Sequence, residues 1–316
     1  MTRILLTGAS GFAGPAIASR LVEAGHELVA AGRRPPPAEA RAHRHVPVAD
    51  QTASTDWSAA LQGIDVIVHL AGHAHAGSRG ATARRLIHGV NVEGTEALAQ
   101  QAAARGVRRF VFMSSIKVLG EESTPGRPHR PEDPPAPGDA YGESKAEAER
   151  RLRAVAAATG LELVVIRPPL LIGPRSKANV ARLVQLVRSG LPLPFASIRN
   201  RRSLLSLPNL ADLVAISIAH PRATELPLLA ADADAPSTAE LVRWVASALG
   251  RSARLFPFPP ALLESVATPF GLRALVTRLT RSQELDYSAT SSLCGWLPRI
   301  RTASTLQSVL DPAPNK

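Results

Sequence analysis

The chain has one cysteine, Cys294, in 316 residues, so no internal disulfide can brace it and a reducing compartment suits it. Aromatic residues make up 4% of the chain, and no stretch interleaves them with basic residues in the way that grips single-stranded nucleic acid. Long apolar runs are missing too. Residues 204–219 come nearest and are broken by Pro208 and Asp212, so no segment spans a bilayer. No secretory pattern precedes the first apolar run. Acid is the scarcer charge, 26 Asp+Glu against 37 Lys+Arg, for a net +11. The arginines are scattered, which fits sites for anionic ligands better than a nucleic-acid surface. These absences leave a cytoplasmic globular protein with no nucleic-acid or membrane partner, large enough for one big domain or two smaller ones.

What is present begins at residues 1–16, MTRILLTGASGFAGPA. Ile4, Leu5 and Leu6 make a short buried-strand run, Gly8, Gly11 and Gly14 follow at three-residue spacing, and Pro15 suits a first helical turn. Strand, glycine turn and helix start in succession form a dinucleotide cradle. The glycines let the backbone approach a pyrophosphate, and the helix N-terminus favours the anion. The spacing then predicts a helix over 16–24, a strand over 27–31, a short strand over 45–48, a helix over 57–62 and a strand over 65–70. A dinucleotide that carries a bare ribose hydroxyl expects an acid at the end of the second strand. Here Gly32, Arg33 and Arg34 stand there, with no acid before Glu39. Two guanidinium groups suit a 2′-phosphate, so NADP(H) is favoured, with NAD(H) as the alternative. Asp50 and Gln51 are placed for the adenine, and the small residues Ala71 and Gly72 for the nicotinamide half. His73 and His75 lack a nearby acid or thiol and make no metal site.

A long helix over 82–105 contains Asn91, whose buried amide needs partners. A strand over 109–113 delivers Ser114 and Ser115 at the end where open parallel sheets bind ligands. Residues 119–140, dense in Pro, Gly and charge, read as a functional lid. Tyr141 and Lys145 then open a helix running to 158, four apart and on one face. A phenol is a poor base at neutral pH, and a neighbouring ammonium favours its phenolate. Ser115 can hold a substrate oxygen while Tyr141 moves its proton.

These pieces resemble the extended short-chain dehydrogenase/reductases that act on nucleotide sugars. The resemblance rests on TGASGFAG at 7–14, HLAG at 69–72, VNVEGT at 90–95, FMSSIKVLG at 112–120, YGESK at 141–145 and IRPPLLIGP at 166–174. It implies Ser115, Tyr141 and Lys145 as catalytic, and adds Phe12, Leu70, Asn91 and Pro168 to the cofactor contacts. Leu119 departs from the pattern, where an aromatic residue usually stands. Ile116 and Lys117 replace the acidic pair of the family's dehydratases, which removes dehydration and leaves epimerisation and ketone reduction. A UDP-sugar diphosphate is expected on Lys177, Asn179, Arg202 and Arg281, and Asn209 stands in place of the family's usual aspartate.

The expected architecture is α/β. A Rossmann-type doubly wound parallel sheet occupies 1–172, with 203–231 returning to it, beside a smaller mixed substrate-binding lobe from 173–202 and 232–311 and a tail at 312–316. Short motifs, IKVLGE, KANV, GLPLP and NRRS, resemble a bacterial polysaccharide branch holding UDP-sugar 4-epimerases and 4-reductases of UDP-4-keto-6-deoxy-N-acetylglucosamine. Because a reductase exchanges its cofactor every turnover, Arg33 and Arg34 tip the expectation toward C4 reduction by NADPH. An epimerase with tightly held NAD is the alternative, and a non-catalytic dinucleotide sensor a remote one. The family resemblance also implies a homodimer through the helices over 82–105 and 144–158.

Overall fold

The computed structural model describes all residues except 74–79, 175, 177–178 and 311–316, with the backbone alone of residues 179, 180 and 274. The first strands alternate strictly in the direction their side chains face. Ile4 and Leu6 of β1 (Arg3–Thr7) turn to one side and Leu5 to the other. Both sides are apolar because both are covered, the condition for a parallel sheet. After α1 (Gly14–Glu23) come β2 (Glu27–Gly32), β3 (Arg44–Pro47) and β4 (Val66–His69). Next are α2 (Ala81–His88), α3 (Thr95–Ala104), β5 (Arg109–Met113), α4 (Ala140–Thr159) and β6 (Glu162–Arg167). The chain continues through β7 (Leu170–Ile172), α5 (Asn179–Arg188), β8 (Leu204–Ser206), α6 (Leu207–Ser217) and β9 (Leu228–Leu229). It ends with α7 (Thr238–Ala248), α8 (Pro260–Ala267), α9 (Arg273–Thr280), α10 (Ser288–Cys294) and α11 (Thr302–Leu310).

The main sheet is parallel throughout, in the order β3-β2-β1-β4-β5-β6-β9. The Rossmann-type reading therefore stands, and the order reverses between β1 and β4, where a dinucleotide lies in such folds. Helices α1 and α6 cover one face, and α3, α4 and Trp57 the other. A separate apolar cluster gathers Ile172, Leu183, Phe195, Leu204, Val245 and Leu306 beyond the two-stranded pair β7–β8. No helix among the described residues is long and apolar enough to cross a membrane.

Three predicted elements differ. The helix over 57–62 is a single helical turn, capped at its start by Asp56, which accepts from Ser58 N at 2.9 Å, and ended by Gly63 at φ +67°. The helix over 82–105 is interrupted by a π-helical stretch, Gly89–Gly94. A Cβ on Gly94 would lie 2.5 Å from the Gln51 carbonyl oxygen, so the widened turn passes against residues 51–52 at a glycine. The lid over 119–140 is tied down rather than free. Ser123 N and His129 N donate to Ser282 O and Glu284 O, at 2.9 and 2.8 Å, and Asp286 N returns a bond to His129 O.

Candidate active site

The site is assembled by two element ends meeting. Strand β5 stops at Met113, and Ser115 follows with extended backbone, its Oγ accepting from Lys117 N at 3.3 Å. Helix α4 starts against this turn. Asp139 caps it by accepting from Gly142 N at 2.8 Å and pairs with Lys117. A Cβ at Gly142 would lie 2.7 Å from Lys117 O, so the helix start can sit this close only with glycine there. Tyr141 is thereby set near enough to Ser115 for that hydroxyl to favour its phenolate. One turn on, Lys145 is 3% exposed. Its Nζ donates to Met113 O at 2.8 Å, lies 4.5 Å above the Phe112 ring centroid, and is 6.0 Å from the Tyr141 ring centroid.

The electrostatics differ from the sequence expectation that Lys145 holds the tyrosine pKa down. Burial and the Asp139 charge push Tyr141 up to about 12, opposed by the Ser115 hydrogen bond. Burial brings Lys145 down to about 8, against the pull of Glu149. So raised, Tyr141 is protonated at neutral pH and can act as a proton donor.

A cavity of ≈ 660 Å³ runs along the strand ends at the β1–β4 switch point. Of the expected cofactor residues, Gly8, Gly11, Arg33, Arg34, Asp50, Gln51, Leu70, Ala71 and Gly72 line it. Gly8 has φ +73°, and a Cβ there would lie 2.8 Å from Ala71 N, so the cradle requires glycine. The floor is glycine as well. A Cβ on Gly72 would lie 3.0 Å from Asn91 Oδ1 and 3.5 Å from Lys145 Nζ, which joins the cavity to the Ser115–Tyr141–Lys145 cluster. On these observations the residues present fit a dinucleotide.

Four expected contacts are not on the cavity wall. Phe12 packs into the apolar layer under α1. Gly14 serves a close approach, since a Cβ there would lie 2.3 Å from Ala9 O. Asn91 is fully buried, donating to His73 O and Ser144 Oγ at 3.0 Å and accepting from His73 N at 2.7 Å, so it holds the cavity wall from behind. Pro168 accepts from Ile116 N at 2.9 Å and so positions the turn after Ser115.

Sequence reasoning missed two buried supports. His69 bridges Thr7 Oγ1 at 2.8 Å and Thr95 Oγ1 at 3.1 Å, and burial holds it neutral, down to about 3. Glu149, one turn beyond Lys145, accepts from Ser114 Oγ at 2.6 Å and from Arg167 at 2.9 and 2.7 Å. The four-residue step from Lys145 was the signal for Glu149; His69 had none beyond its place in HLAG.

On the far side, residues 282–286 run between the tied-down loop and residues 201–203. Arg202 Nη1 donates to Arg278 O at 2.6 Å and Arg281 O at 3.4 Å, carbonyls at the end of α9. Arg281 lies against Glu264 at 3.4 Å and Glu122 at 3.8 Å. Asn209 is a structural clamp, donating to Asp232 and to Ile300 O, each at 2.7 Å. Asn179 begins α5, and Lys177 and His75 lie outside the described residues.

Residues 4–227 match the model of the NAD dependent epimerase/dehydratase family. The chain is 41% identical over 306 residues to a UDP-glucose 4-epimerase of Vibrio cholerae, covering 93% of this chain and 90% of that protein. Among solved structures, UDP-glucose 4-epimerase of Thermus thermophilus in complex with NAD superposes with a TM-score of 0.77 at 21% identity, covering 98% of both chains. UDP-N-acetylglucosamine 4-epimerase from Bacillus cereus gives the same TM-score and coverage at 18% identity. At such identities the structural likeness shows the fold.

Proposed function

The chain belongs to the NAD dependent epimerase/dehydratase family, and from that membership we propose that it is a UDP-hexose 4-epimerase that retains NAD. The observation carrying this reading is the near-full-length similarity to a UDP-glucose 4-epimerase. The competing expectation, C4 reduction by NADPH, rests on Arg33 and Arg34 alone. Arg33 lies 3.9 Å from the Asp50 carboxylate, both largely exposed, so its guanidinium has an acidic neighbour without a 2′-phosphate.

In this reading Gly8 and Gly11 admit the diphosphate, and Ala71 and Gly72 admit the nicotinamide ribose beside Lys145. When bound, the dinucleotide supplies a two-electron acceptor for the sugar C4 and, oxidised, a positive charge that favours the Tyr141 phenolate. Ser115 holds the sugar O4. Tyr141 removes the O4 proton as the 4-keto sugar forms and returns it after the sugar presents its other face. Lys145, fixed by Met113 O, keeps a positive charge one helical turn from the phenol. We assign the dinucleotide to 1–172 with 203–231, and the UDP-sugar to 173–202 with 232–311, where Arg202 and Arg281 meet its diphosphate.

The test is to denature purified protein, identify any released dinucleotide by mass spectrometry, and follow UDP-glucose to UDP-galactose conversion without added cofactor. Near-stoichiometric NAD and cofactor-independent turnover are expected. Protein free of dinucleotide that consumes NADPH only with a 4-keto sugar would overturn the reading.

A further inference from the structure

Lys117 stands between the two halves of the reacting side. Its N donates to Ser115 Oγ at 3.3 Å, and its carbonyl oxygen lies against Gly142 at the start of α4. The side chain is held as well. Its Nζ pairs with Asp139 and donates to Glu121 Oε1 at 2.8 Å, where Lys117 is 27% exposed and each acid 33%. Shielded in this way, the three charges act on their neighbours with less screening than surface ions do.

Asp139 carries the effect of this pair to the phenol. One of its oxygens caps α4 by accepting from Gly142 N at 2.8 Å, and the other takes the Lys117 ammonium. Tyr141 follows two residues later, and the Asp139 charge makes its proton harder to remove. The cap thus sets a negative charge beside a phenol that must ionise, and Lys117 is the cation placed to offset it. The other charges on the elements packed around Tyr141 are matched elsewhere. Glu143 meets Arg84 of α2 at 3.3 Å, Glu93 meets His88 at 3.3 Å, and Glu96 of α3 meets Arg151 at 2.6 Å. Glu149 is held by Arg167, buried His69 is neutral, and Lys145 donates to Met113 O. Arg278 of α9 lies 3.9 Å from Glu121, the second acid on Lys117.

We propose that Lys117 is a positioning residue for proton transfer: by offsetting Asp139 it sets how readily Tyr141 gives up its proton. This role rests on the epimerase reading, in which Tyr141 must lose and regain a proton every turnover. In sequence, Lys117 registers only as a residue that is not acidic, because Asp139 stands 22 positions later.

The experiment follows UDP-glucose turnover by the holoenzyme across pH, where kcat should rise as Tyr141 ionises. Lys117→Met removes the charge and should move that rising limb up by about one pH unit. Asp139→Asn keeps a capping side chain and should move the limb down by a similar amount. The double variant, having lost both charges, should return close to wild type. Lys117→Arg keeps the charge and should stay there too. Variants that lower kcat equally at every pH would make Lys117 structural and overturn the proposal, as would a Lys117→Met limb that stays in place. Should Lys117→Met fail to fold, Asp139→Asn decides, and a limb that does not move down overturns the proposal. A second readout needs no turnover. Tyr141 and Tyr287 are the two tyrosines of the chain, so isotope-labelled tyrosine gives two magnetic resonance signals, which Tyr141→Phe assigns. Tyr141 should titrate at lower pH in Asp139→Asn than in wild type, and at higher pH in Lys117→Met. That order in a protein that converts no UDP-sugar would overturn the epimerase reading and still support Lys117 as the group that tunes Tyr141. Its absence overturns the proposal.

Discussion

The two sides of the site hold their charges differently. Around the ends of β5 and α4, charged groups are buried and meet other buried side chains: Glu149 with Arg167 and Ser114, and Lys145 above Phe112. Across the cleft, the arginines rest on backbone carbonyls and on carboxylates open to solvent in part, as Arg202 does on Arg278 O and Arg281 on the partly buried Glu264 and the exposed Glu122. A buried partner fixes a side chain to one geometry, which proton transfer demands. A carbonyl or an exposed acid can be exchanged for an incoming diphosphate at small cost. One side is therefore built to react and the other to be displaced by its ligand.

The sharpest test of that contrast is Tyr141→Phe. Removing the proton donor and acceptor should lower kcat by about 10²–10⁴-fold while thermal stability holds. Turnover near wild type would break the assignment. Next is Glu149→Gln, which leaves the buried Arg167 guanidinium uncompensated. Denaturant titration should show a loss of about 3–5 kcal/mol, far more than a surface charge would give. Third is the pH response of Lys145. Its ammonium is lost as pH rises through about 8, so kcat should fall above that value. Stability moves the opposite way. The folded pKa lies below the ordinary lysine value of 10.5, so between about 8 and 10.5 the unfolded chain binds more protons and stability rises with pH. The falling limb should disappear in Lys145→Arg, because the arginine stays charged.

The same contrast explains what could be read from sequence. The parallel sheet and the grouping of Ser115, Tyr141 and Lys145 were expected from local signals: short apolar runs, a glycine turn and a four-residue helical step. Asn91, Pro168 and Gly14 carry equally local signals, yet they support the site from behind. Sequence marks a residue as constrained without saying which side of the wall it faces. The tied-down loop over 119–140 was illegible for another reason. Its partners, Ser282 and Glu284, lie more than a hundred residues later, and backbone bonds leave no side-chain signature. Arg33 was read without Asp50, seventeen positions on, which the pairing of β2 with β3 brings to the same cavity.

Smaller effects probe the displaceable side and the rim. Arg202→Ala should raise KM for the UDP-sugar by about tenfold with kcat little changed, the pattern of a contact made equally in ground and transition states. A loss confined to kcat would place Arg202 with the reacting side instead. The mildest expectation concerns Arg33. Its side chain is 67% exposed and its partner Asp50 77%, at 3.9 Å, a pair that solvent screens heavily. If the retained cofactor is NAD, Arg33→Ala has no 2′-phosphate to lose, and dinucleotide retention measured by mass spectrometry should change less than about fivefold. A guanidinium clamped on a 2′-phosphate would behave otherwise. Truncating it would discard charge-assisted hydrogen bonds, each worth about 1.5–3 kcal/mol, and NADP affinity would collapse while NAD affinity held. The size of this one effect therefore decides whether the rim is a selective clamp, like the buried side, or an exchangeable surface, like the far one.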